Sequence, residues 1–99
     1  MGEEATDLLK RRLRDDEDAA VRAAAAQNLG PRNTKKVNLF LRQRFQQEGS
    51  REVLAEIIGG VARRKPMDRD SELLLRNFAN TTAEPSLRDR ALAALAVKS

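Results

Sequence analysis

Ninety-nine residues, 40% of them apolar and 34% charged, with a net charge of +4, amount to one domain with a single modest core. Alanine (15) and leucine (13) dominate the apolar set, valine, isoleucine and threonine together number 11, and Trp and Tyr are absent, which favours helices over a sandwich or barrel. With no cysteine there is no disulfide framework or thiolate metal site, and with no histidine the commonest general base and metal ligand are missing, so no cofactor or metal is expected.

Proline and glycine punctuate the chain at Gly30-Pro31, Lys65-Pro66 and Glu84-Pro85. Softer breaks lie at residues 15–18, whose carboxylates suit a helix start, and at Glu48-Gly49-Ser50, read as a left-handed glycine followed by a capping serine. Six helical segments lie between the breaks. The first runs from about Glu3 to Arg14, with Ala5, Leu9 and Leu13 on one stripe beside Leu8. The second, about Ala19 to Leu29, is almost solid alanine, and Gly30 after it is expected in the left-handed C′ conformation. The third, about Lys35 to Gln47, spaces Val37, Leu41 and Phe45 four apart; the fourth, about Arg51 to Arg64, carries Leu54, Ala55, Ile57, Ile58 and Val61. Leu74, Leu75 and Phe78 mark the fifth, about Arg69 to Ala79, and the last runs from about Ser86 to Val97. No apolar run reaches the length of a membrane span, and residues 1–13 lack the apolar centre of a secretion signal, so a cytoplasmic chain is expected.

The even-numbered segments align with one another: Val21 to Gly30, Ser50 to Gly59 and Leu87 to Ala96, at spacings of 29 and 37 residues. Arginine recurs at the second place of each block (Arg22, Arg51, Arg88), and each has an acid three or four residues earlier (Asp18, Glu48, Glu84). Gly or Ala closes each block. The pattern resembles the HEAT-repeat family, in its short bacterial and archaeal form found also in phycobilisome lyase subunits, whose core reads D-x-x-V-R-x-x-A-A-x-A-L-G. Asp18 to Gly30 matches it closely and Glu84 to Ala96 well, while the middle block lacks the Val and the Ala-Leu pair. The resemblance covers essentially the whole chain and implies an all-α superhelix, a solenoid of three helical hairpins, with repeats at about 3–30, 35–65 and 69–98 of a single domain, 1–99. It also implies a structural role for Arg22, Arg51 and Arg88 in tying adjacent repeats, with surface binding the alternative. Each hairpin is too small to bury its own stripe, so neighbours stack and share a core.

Enzymes built on this solenoid use His-Glu iron ligands or an aromatic groove with a catalytic Asp; this chain has no His, Trp or Tyr, and is read as no enzyme. Residues 15–18 are read as a helix cap rather than a catalytic or calcium-binding cluster. The charge is unevenly placed. Residues 1–18 hold 4 basic and 7 acidic groups, net −3, whereas residues 19–65 hold 10 basic and 3 acidic, net +7. Arg32, Lys35 and Lys36 flank the first inter-repeat turn, and Arg63, Arg64, Lys65 and Arg69 flank the second, so a stacked solenoid places seven cations along one edge. Helix-dipole compensation explains such an edge without a ligand; a ridge for phosphate or an acidic protein face is the other reading.

The expected function is a non-catalytic protein-interaction scaffold. Polyanion or nucleic-acid binding through the basic edge is the first alternative, not favoured for lack of Tyr and Trp platforms. A piece of a longer HEAT protein is the second. Phe40, Phe45 and Phe78 are expected inside, as are Ala25 and Ala26, closely packed against a neighbouring helix. Residues 91–97 are apolar all round, which leaves Leu92 and Ala96 to be covered by a further repeat, a partner protein or, most simply, a second copy in a two-fold dimer.

Overall fold

A computed structural model describes residues 2–32, 34–63 and 67–96. They form six α-helices: α1 (Gly2–Asp15), α2 (Ala19–Leu29), α3 (Lys35–Gln47), α4 (Arg51–Ala62), α5 (Arg69–Thr81) and α6 (Pro85–Ala96), with no strand among the described residues. The starts are set chemically. Asp18 accepts from the Ala20 amide at 2.9 Å, Thr34 from Val37 at 3.2 Å, Ser50 from Val53 at 3.4 Å and Asp68 from Ser71 at 3.1 Å, while Pro85 opens α6 with its fixed φ. Each such cap is worth about 1 kcal/mol. The break at Lys65-Pro66 lies outside the described residues.

Contacts sort the helices into two layers. Helix α4 lies between α2 and α6; α1 and α5 pack on α2 and α6 respectively; α3 touches α1, α4 and α5. The molecule measures 35 × 28 × 16 Å, and the shortest dimension is that of two helix layers. Leu13, Leu29, Leu41, Ile57, Ile58 and Leu75 fill the space between layers. Phe45 is buried and meets Phe78 edge-on at 4.9 Å, and Phe40 is half-buried beneath the Lys10 ammonium. Ala25 and Ala26, at 2% and 1% exposure, are as buried as any leucine.

Gly30 differs from its expected conformation. At φ −49° and ψ −47° it simply extends α2 in right-handed geometry. Glycine is needed there for closeness instead: a Cβ on Gly30 would lie 2.8 Å from the Gly60 Cα, and one on Gly60 would lie 3.0 Å from the Gly30 Cα. The backbones of α2 and α4 cross in direct contact at this pair. Gly49, also expected to be left-handed, is not, and the extended Glu48 and Ser50 on either side of it lead into the Ser50 cap.

The helix starts correct the register of the even helices. Residues 19, 51 and 85 begin α2, α4 and α6, at spacings of 32 and 34 residues rather than 29 and 37. Counted from those starts, Val21, Val53 and Leu87 are third, Ala25, Ile57 and Ala91 seventh, and Leu29, Val61 and Leu95 eleventh. Arg22 and Arg88 are both fourth. Arg51 is first, and Leu54 holds its expected place. The middle block is therefore shifted by three residues, and it does possess the Val. Ser50 in the Asp18 position and Leu54 in the arginine position disguise it.

Candidate interaction surfaces

The arginines and acids at the starts of the even helices join successive helix pairs. Arg22 donates twice to Glu48, from Nε at 3.1 Å and Nη2 at 2.9 Å, and its Nη1 donates to the carbonyls of Asp16 at 2.8 Å and Glu17 at 3.2 Å. Its acid is thus in the next helix pair, not four residues earlier in its own. The Glu48 side chain is only 5% exposed. Burial alone pushes its carboxyl pKa up, but the Arg22 hydrogen bonds and the Ser50 and Gly49 amides outweigh this and hold it below the ordinary value. The same bond raises the Arg22 guanidinium. Arg51 reaches Glu84 by one contact of 3.3 Å, with side chains 72% and 45% exposed. Arg88 donates to the Thr82 carbonyl at 3.0 Å, as Arg22 does to Asp16, and forms no ion pair among the described residues.

The basic residues are dispersed more than a single ridge requires. Arg32 is half-buried and donates to the Thr6 hydroxyl at 3.1 Å; it shares a cleft of about 500 Å³ between α1 and α3 with Lys10 and Lys36, but also with Glu3 and Asp7. Lys35 is exposed. Arg63 is exposed at the end of α4, its Nη1 lying beside Gly30, so it comes to the first turn. Arg69 is exposed at the start of α5, between Asp68, which Arg42 pairs at 2.9 Å, and Asp70. Arg64 and Lys65 fall outside the described residues.

Residues 15–18 are engaged in capping and pairing. Asp18 caps α2, Asp16 accepts from the Asp18 amide at 2.9 Å, and Asp15 holds Arg14 through two hydrogen bonds of 2.9 Å that lower its carboxyl pKa. Ser71, a polar residue buried as a whole at 1% exposure, donates to Asp68 at 2.7 Å. No helix of the described residues is long and apolar enough to cross a membrane.

One surface has no counterpart in the sequence reading. Leu39 and Leu73, the fifth residues of α3 and α5, are 49% and 50% exposed and line a groove of about 390 Å³ with Leu74, Arg42, Gln43 and Asn77. Arg42 bridges the groove's mouth, bonding Asp68 at 2.9 Å and lying 3.7 Å from Asp70. The signal for it was present: each leucine stands two places after the first residue of its buried stripe, Val37 or Ser71, and so on the opposite flank. Leu92, 49% exposed, and Ala96, also exposed, lie on α6 uncovered by any other described residue. No family model matches the chain, and neither a curated protein nor a solved structure is significantly similar to it.

Proposed function

We propose that this chain is a non-catalytic protein-interaction scaffold, built of three HEAT-like hairpins stacked as an α-solenoid. The corrected register supports the repeat reading, because every even helix then has a Val or Leu at the third place and a small or aliphatic stripe at the seventh and eleventh. The binding reading rests on the α3–α5 groove. Two half-exposed leucines at the same position of successive helices, flanked by amide and guanidinium donors, offer apolar anchors plus polar ends, the composition of a peptide- or helix-binding groove. Asp18 and Asp68 are engaged in caps and Arg22 and Glu48 in a cross-pair bond, which suits a scaffold more than a site of chemistry. A photoreactive amino acid placed at position 39 or 73 tests this in native extract. One discrete adduct, absent when the probe stands at Ala83 and lost with Leu39→Glu or Leu73→Glu in the partner position, supports the groove; equal labelling from all three sites rejects it.

A second reading, polyanion binding, is favoured by Arg63, which lies beside Gly30 near Arg32, Lys35 and Lys36. Changing Arg63, Arg64 and Lys65 together to Gln then lowers heparin retention and flattens its salt dependence. Elution at the salt typical of any protein of this net charge rejects it.

A further inference from the structure

The contact between helix pairs follows one geometry. From α2 to α4, Gly30, in the twelfth place, meets Gly60 in the tenth. From α4 to α6, Ile58, Gly59 and Ala62, in the eighth, ninth and twelfth places, face Arg90, Ala93 and Ala94, in the sixth, ninth and tenth. One face of each even helix thus meets the other face of the next. Among the described residues, one such face is left over on α2 and the other on α6. Helix α6 presents Leu92 and Ala96 in the eighth and twelfth places, both exposed. Helix α2 presents Ala24, Gln27 and Asn28 in the sixth, ninth and tenth, also all exposed.

The eighth place shows the change most clearly. Ala26 is 1% exposed and Ile58 2%, whereas Leu92 is 49%. The polar bond is open in the same sense. Arg88 already holds the Thr82 carbonyl as Arg22 holds that of Asp16, but where Arg22 continues to Glu48, Arg88 pairs with no carboxylate among the described residues. The residue matching Glu48 at the other end is Asp16: each sits two places before a cap and accepts that cap's amide at 2.9 Å. Leu8 completes the match. It precedes Leu9 as Phe40 precedes Leu41 and Leu74 precedes Leu75; Phe40 lies under Lys10 and Leu74 beside Leu39, each on the preceding odd helix, while Leu8 is 44% exposed.

We propose that a second copy of this chain docks head-to-tail, with the Leu92–Ala96 face and Arg88 of one molecule on the Ala24–Asn28 face and Asp16 of the next. The docked surfaces are different patches, so the contact is heterologous, in place of the two-fold dimer that Leu92 and Ala96 alone suggest. Asn28 is larger than Gly60 or Ala94, so the helices cross farther apart than within the chain and the contact is weaker. It rests on the pair-to-pair geometry and is independent of the groove partner.

Sedimentation velocity over a concentration series tests it with Leu92→Glu, which blocks one face, and Ala24→Glu, which blocks the other; both positions are exposed, and circular dichroism checks that both variants fold. The wild type is expected to gain mass with concentration, each variant alone to remain monomeric, and an equimolar mixture to form a dimer and nothing larger. Leu39→Glu leaves this association intact. A wild type that stays monomeric up to millimolar concentration overturns the proposal. So does an Ala24→Glu variant that associates like the wild type, the behaviour of a two-fold contact through Leu92.

Discussion

The two seams between helix pairs are built to the same plan with different chemistry. Between α2 and α4, two glycines bring backbones together at the C-terminal ends, a Cβ on Gly30 falling 2.8 Å from the Gly60 Cα, and at the N-terminal ends the Arg22–Glu48 pair is bidentate with side chains 19% and 5% exposed. Between α4 and α6, the facing residues are Ile58 and Ala62 against Ala93 and Ala94, an open cleft of about 320 Å³ remains, and the Arg51–Glu84 pair is a single exposed contact of 3.3 Å. The difference teaches that one packing plan accommodates two chemistries. The seam with a glycine crossing at one end of its helices carries a desolvated ion pair at the other, costly to break, whereas the looser seam carries a solvated one.

Breaking the two ion pairs separates the seams most widely. Arg22→Ala leaves the Glu48 carboxylate buried without its partner and is expected to cost roughly 3 kcal/mol in urea denaturation. Arg51→Ala is expected to cost under about 1 kcal/mol, because its pair is exposed. Next comes the crossing itself: Gly30→Ala forces backbone against backbone and is expected to destabilise by roughly 1–3 kcal/mol, read as a lower melting temperature. Gly59→Ala, one residue from the crossing but with nothing within 4 Å of its added Cβ, is expected to stabilise by about 0.5–1 kcal/mol. Opposite signs at Gly30 and Gly59 sharpen the comparison; equal signs break it.

Acid titration gives the smallest effect. The Glu48 carboxyl titrates below its unfolded value of about 4.3, so its contribution is complete above that value and lost as the pH falls through the lower, folded one. Glu48→Gln removes that loss and flattens the acid limb of the stability profile. A mutant whose acid limb is as steep as the wild type's contradicts the assignment.

The sequence made the helices plain because their ends carry their own chemistry. Asp18, Ser50, Asp68 and Pro85 are local signals, and predicted and observed ends agree within two residues wherever the end is described. The register of the middle pair was hidden because Arg51 imitates Arg22 in pattern while standing at the helix start. Aligning caps rather than arginines would have found it. Gly30 was misread for a different reason: its constraint is Gly60, 30 residues along the chain, and no local rule reports a distant backbone. The basic residues were visible, as were Asp68 and Asp70 beside Arg69, but Thr6 at Arg32 and the acids of the α1–α3 cleft became neighbours only on folding. Leu39 and Leu73 lay off the stripes that marked the core, and their exposure emerges only once α3 and α5 are side by side.

Native-state hydrogen exchange tests the seam comparison most directly, because it ranks the opening of each helix within one molecule. The amides of Ala25 to Leu29 in α2 and Ile57 to Val61 in α4 are expected to exchange slowest and together, by global unfolding. Those of Ala91 to Leu95 in α6 are expected to exchange faster, through separation of the looser seam. Protection in α6 equal to or greater than that in α2 would contradict the account.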